Sequence, residues 1–161
     1  MPHLPLGLSL LLALLLPAPM AHATPLETGA VARGFFTAHG RFGNFYGVES
    51  RLVRSGPLFL GVSGFGGPVL NAPRSALGYG GALVGADVTL PRGVVLASRL
   101  WAGGGGGALD GQRLMALSVE PSVSIGFPVS ERVTGSLSFG YLTMLGVENV
   151  NGLVIAFRAD M

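Results

Sequence analysis

The sequence predicts an all-β protein: an antiparallel, up-and-down, eight-stranded transmembrane β-barrel that follows an N-terminal signal peptide. Three observations carry this. Residues 114–127 place an apolar side chain at every odd position from Met115 to Phe127, while the even positions run Ala, Ser, Glu, Ser, Ser, Gly. Successive side chains of a strand point to opposite faces, so this run is one extended strand with an oily face and a small, polar face. It exceeds the five or six residues usual for a soluble strand and suits the roughly nine to eleven needed to cross a bilayer at a tilt. Second, turn signals cut the remaining chain into segments of similar length and pattern. Third, mean hydropathy is clearly positive although only 11% of the 161 residues are charged and 27 are Gly. After the N-terminal segment no apolar run approaches the roughly 20 residues of a transmembrane helix, so alternating strands must deliver the apolar surface.

Residues 1–23 contain no Asp, Glu, Lys or Arg. The apolar run Leu6 to Leu16 is broken by Pro17 and Pro19 and followed by Ala21-His22-Ala23, the pattern of a secretory signal peptide cleaved after Ala23. The run is too short to serve as a spanning anchor. Residues 24–161 then form one barrel domain. The chain has no Cys, so its stability comes from backbone ladders and burial rather than disulfides.

Gly, Pro, Asn and Ser clusters divide this domain into strands at about 28–38, 44–54, 57–65, 78–90, 94–102, 112–127, 131–143 and 149–159. The connections alternate in length. Tight turns fall at Ser55-Gly56-Pro57, Pro91-Arg92-Gly93 and Pro128 to Glu131, and longer ones at His39–Gly43, Gly66–Leu77, Gly103–Gly111 and Met144–Glu148. Short turns on one side and longer loops on the other are what an outer-membrane barrel shows, and the order puts both termini on the periplasmic side.

Alternation then assigns faces. Val84, Val88, Leu117, Val119, Val123, Ile125, Leu137, Phe139, Leu153 and Ile155 are expected to face lipid. Arg33, Glu49, Arg51, Asp87, Arg99, Glu120 and Arg158 fall on the opposite face, as a lumen charge network with Arg99 and Glu120 as its leading ion pair. The first and third strands are poorly patterned. The polar face is otherwise Ser, Gly, Ala and Thr, small enough for the narrow interior of eight strands. A soluble lipocalin-like carrier of an apolar ligand, with the oily faces inward, is the alternative; it would be expected to show many long charged side chains on its outer face.

The chemistry-bearing motifs are sparse. The run Gly103 to Gly107 lacks the Lys-Ser/Thr and following helix of a phosphate cradle, and reads as a flexible external loop. His39 is the single His after the signal peptide. A lipid-A-modifying barrel enzyme would need it as a base beside a nucleophile, and no such partner is adjacent in sequence. The acids Glu27, Glu49, Asp87, Asp110, Glu120, Glu131, Glu148 and Asp160 are dispersed without metal-ligand spacing. The basic residues are ten Arg and no Lys, spread from Arg33 to Arg158, unlike the clustered face of a nucleic-acid binder. No enzyme, metal, cofactor or nucleic-acid partner is expected, and eight strands are too few for an open water channel.

On Leu117-Ser-Val-Glu-Pro-Ser-Val-Ser-Ile-Gly-Phe127, Val133-Thr-Gly-Ser-Leu-Ser-Phe-Gly-Tyr141 and the eight-strand spacing, the chain resembles the small outer-membrane β-barrel proteins of the OmpA membrane-domain type. The resemblance implies outer-membrane residence in a Gram-negative-type cell. It implies as partners outer-membrane lipid, periplasmic chaperones and the barrel-insertion machinery, with loops 66–77 and 103–111 making contacts outside. Such barrels usually end on an aromatic residue, whereas this chain ends Phe157-Arg158-Ala159-Asp160-Met161, so Phe157 is the residue that would take that role.

Overall fold

The computed structural model describes residues 27–131, 133–147 and 150–160; the expected signal peptide lies outside them. Eight strands follow in order: β1 (Glu27–Thr37), β2 (Phe42–Ser55), β3 (Leu58–Pro68), β4 (Ala76–Thr89), β5 (Val95–Leu109), β6 (Gln112–Pro128), β7 (Thr134–Met144) and β8 (Gly152–Asp160). Each pairs antiparallel with its sequence neighbour, and β1 closes on β8. Closure leaves no free sheet edge, which removes the template for aggregation that an open sheet would present.

The strands are strongly staggered. Thr28 near the start of β1 pairs with Ser50, and the row of partners continues through Val62, Ala82, Ala102 and Val119 to Thr143 near the end of β7. This stagger is the tilt that a closed barrel requires. It defines two ends: a turn end, where β1 begins and β8 finishes, and a loop end opposite.

A bulge in β2 between Arg51 and Val53 re-aims the strand. Leu52 and Val53 both face outward, and Arg54 is turned to the inside, where strict alternation would have put it outside.

At the loop end the structure departs from the expected loops. The segment 103–111 is not a flexible loop: Gly103 to Gly107 continue β5 and pair with β4 and with Leu114 to Ser118 of β6. The connection is the two-residue turn Asp110-Gly111, with φ of 51° and 79°. Positive φ at both central residues is the type I′ requirement that Asp-Gly meets well. The loop expected over 66–77 shrinks to 69–75, because Gly66 to Pro68 end β3 and Ala76 and Leu77 begin β4. Strict alternation of short and long connections therefore does not hold.

Candidate functional site in the barrel interior

The interior has two chemically distinct halves. The loop-end half is apolar. Phe35 of β1, Phe45 of β2, Phe65 of β3, Tyr79 of β4 and Trp101 of β5 all point inward and are buried. Their rings form a continuous chain, with centroids 5.8 Å apart for Phe35–Phe45 and for Phe45–Tyr79, 5.4 Å for Phe65–Tyr79 and 5.3 Å for Tyr79–Trp101. The tilted and edge-on geometries are those that aromatic quadrupoles prefer. Leu142, Met144 and Val154 complete the packing from β7 and β8, and Val69, Ala72 and Val150 of the connections close it from above. An expected interior of small polar residues is thus wrong for this half.

Glycine makes room for these rings. A Cβ on Gly103 would lie 2.8 Å from the Trp101 ring and 2.7 Å from the Cα of Gly81, its cross-strand partner. One on Gly47 would lie 2.7 Å from the Phe65 ring. Inward glycines therefore set back the wall where large rings sit.

The turn-end half is ionic. All seven charged residues assigned to the inside by alternation point there, but their partners differ from the expected ones. Arg99 and Glu120 do not pair. The Arg99 side chain crosses the lumen from β5 to Glu49 on β2, at 2.9 Å and 3.0 Å to its two carboxylate oxygens. Glu120 instead bonds Arg33 of β1. Neighbouring strands place the two Cα atoms close, yet a long guanidinium reaches a carboxylate on the far wall as readily. Glu49 also accepts from Arg158, whose Nε donates to Asp160 at 2.7 Å. Nearer the mouth, Asp87 is clamped by Arg51 at 3.3 Å and by Arg54, and both guanidiniums also reach Glu27, at 3.1 Å and 3.5 Å. Arg51 lies 4.4 Å above the Phe59 ring.

Arg33 is the seam between halves. Its guanidinium sits 4.1 Å over Phe65 and donates to the Tyr79 hydroxyl at 2.8 Å while bonding Glu120. Buried charge is tolerated because it is paired and hydrogen-bonded.

Three members of the network were missed. Glu27 and Asp160 lie at strand ends but share parity with Arg33 and Arg158, so alternation extended by a few residues finds them. Arg54 is inverted by the bulge, and no period-two pattern finds it.

The outer face is apolar. Val84, Val88, Leu117, Val123, Ile125, Phe139, Leu153 and Ile155 are exposed there, and Val119 and Leu137 are half-exposed. Val123, Phe139 and Leu153 are 60%, 50% and 61% exposed, values that a water-facing surface of this size would not sustain as a contiguous belt.

No protein-family model matches the sequence, and a search of curated proteins finds no match. Among solved structures, the barrel is similar to Neisserial surface protein A, NspA, with a TM-score of 0.60 at 17% identity over 88% of this chain and 100% of that one. It is also similar to Ail, the attachment invasion locus protein of Yersinia pestis, with a TM-score of 0.57 at 13% identity, covering 84% of this chain and 94% of that one. The shared fold is the closed, antiparallel eight-stranded barrel. At these identities the likeness is one of architecture.

Proposed function

We propose that this protein is a non-enzymatic integral outer-membrane barrel with a filled lumen, exported by the secretory route, whose loop-end rim makes surface contacts or supports the envelope. One observation carries the reading: large apolar side chains ring the outside while the ion pairs of the spanning strands described above face the interior. In lipid the opposite arrangement would cost about 2 to 4 kcal/mol for each Arg at the midplane. The same orientation opposes the lipocalin-like alternative, whose oily faces would meet inside.

The rim is small and cross-braced, which suits a fixed contact surface. Asn71 Nδ2 donates to Gly40 O at 2.7 Å, its Oδ1 accepts from Phe42 N at 3.0 Å, and Arg41 bonds Asp110 at 2.6 Å. Asp110 N donates to Ser75 Oγ at 2.9 Å. Three connections are tied together in this way. The names NspA and Ail, a surface protein and an attachment locus protein, are consistent with a contact role for such a rim. His39, the base a lipid-modifying enzyme would need, is exposed in the β1–β2 connection. Chaperone escort and machine-assisted insertion belong to the same reading.

Cell fractionation with heat-modifiable gel mobility tests it. The expected result is an outer-membrane fraction whose unheated band migrates faster than the heated one. A protein that stays monomeric and soluble in plain buffer would overturn the reading.

A further inference from the structure

The ionic half is filled from one side only. At the mouth its charges come from β1, β2, β4 and β8, whereas β6, whose one inward charge, Glu120, lies deeper against Arg33, and β7 contribute Ser124, Gly126, Thr134 and Ser136 there, which are too short to cross. A cavity of about 350 Å³ remains at the turn-end mouth. Arg51 and Arg54, with Glu27 and Asp87, line one side of it, Ser124, Thr134 and Ser136 line another, and Asp160, itself held by Arg158, also borders it.

The two arginines are unequally neutralised. Asp87 is 3% exposed, and both of its oxygens are held between the guanidiniums. Glu27 is 39% exposed; it meets Arg51 at 3.1 Å, as closely as Asp87 does, but reaches Arg54 only at 3.5 Å, so the difference between the two acids is one of burial and of the Arg54 contact. One counterion is thus built in and the other lies loosely over the mouth. A solvent-accessible pair of this kind contributes little to stability, on the order of 0 to 1 kcal/mol. Donors are in excess: each guanidinium carries five N–H groups in a planar fork, and Arg51 Nε is buried without a partner. The facing hydroxyls can each donate one more.

We propose that this mouth is a binding site for a small oxyanion, a free carboxylate or phosphate, and that the Glu27 side chain occupies the site in its absence. The ligand replaces the Glu27 carboxylate on Arg51 and Arg54, whose fork geometry matches carboxylate and phosphate oxygens. It accepts hydrogen bonds from the hydroxyl wall on its other side. Phe59 under Arg51 and Asp87 between the two arginines hold the donors in place, so binding requires only that Glu27 swing outward. A cation fits less well, because the carboxylates lining the cavity already accept from guanidinium: Asp87 and Glu27 from Arg51 and Arg54, and Asp160 from Arg158. The site opens on the side that the outer-membrane reading assigns to the periplasm, but its chemistry stands independently of that reading.

The test is a titration of the purified barrel with inorganic phosphate, in a non-ionic detergent free of phosphate groups and at constant ionic strength. The readout is the NMR shift of the Ser124, Thr134 and Ser136 amides. Wild type should show a saturable shift at these positions and around Glu27, Arg51 and Arg54, and none at the loop end. Glu27→Gln removes the internal competitor and should tighten phosphate by about tenfold, since occupancy by Glu27 lowers the competent fraction. Arg54→Gln should abolish the shift while unheated gel mobility stays that of the closed barrel. Unchanged or weaker binding in Glu27→Gln, or the same shift in Arg54→Gln, would overturn the proposal. So would a wild-type titration that gives no saturable shift.

Discussion

The two halves of the lumen solve the same problem with different forces. Both must fill a space about one side chain deep on all sides, in which an unpaired polar group is costly. The loop-end half does so with Phe35, Phe45, Phe65, Tyr79 and Trp101, which interlock at ordinary aromatic distances and leave their space to be tuned by glycine. The turn-end half does so with guanidinium–carboxylate pairs that reach across the bore. Rings fill volume in all directions, whereas ion pairs fill lines. The apolar half is packed with rings in contact, and the ionic half keeps a cavity.

The contrast can be broken from either side. The largest effect is expected at Glu120→Ala. It leaves Arg33 buried beneath the aromatic chain without its carboxylate, a loss of about 3 to 5 kcal/mol. Urea unfolding of the barrel in lipid vesicles measures it. Trp101→Ala should cost a similar or slightly smaller amount, about 3 kcal/mol or more, because it opens a cavity in the packed half. Ser136→Ala in the ionic half should stay within about 0.5 kcal/mol, as it borders space already empty. A Ser136 variant as costly as the Trp101 one would erase the distinction between the halves.

Glycine substitutions sharpen the comparison at lower amplitude. Gly103→Ala drives a methyl into Trp101 and Gly81 and should destabilise by about 1 to 3 kcal/mol. On Gly64, whose added Cβ meets nothing within 4 Å, Ala should be neutral within about 0.5 kcal/mol. The smallest effect is that of salt. Raising ionic strength should weaken the partly exposed Glu27 contacts and leave the buried Arg33–Glu120 pair nearly unaffected. A salt series comparing the stability of Glu27→Gln and wild type would register the difference.

Much of the fold was legible because one face is oily along most of its length. In β6 the alternation is unbroken from Met115 to Phe127, and the eight segments with their chain order followed from turn residues. The strands that read poorly, β1 and β3, have a physical reason. Their loop-end inner faces carry Phe35 and Phe65, so both faces are apolar there and the period-two contrast disappears. The aromatic half was invisible for the same reason. The Gly103–Gly107 run misled because glycine leaves no side-chain signal, and strand pairing can fix such a run where propensity would not. The Asp110-Gly111 pair was the signal that could have corrected it. The seven inward charges were readable from parity. Their pairing was not, since arginines span the bore and partners are chosen across it rather than along the sheet.

The central claim is that β6 presents its odd positions to hydrocarbon and its even positions to the bore. Spin labels placed singly at Val123, Ser124 and Ile125 of the barrel in lipid vesicles, read by accessibility to dissolved oxygen, test this directly. High accessibility at 123 and 125 with low accessibility at 124 is the expected result. Equal accessibility at all three, or a maximum at 124, would contradict it.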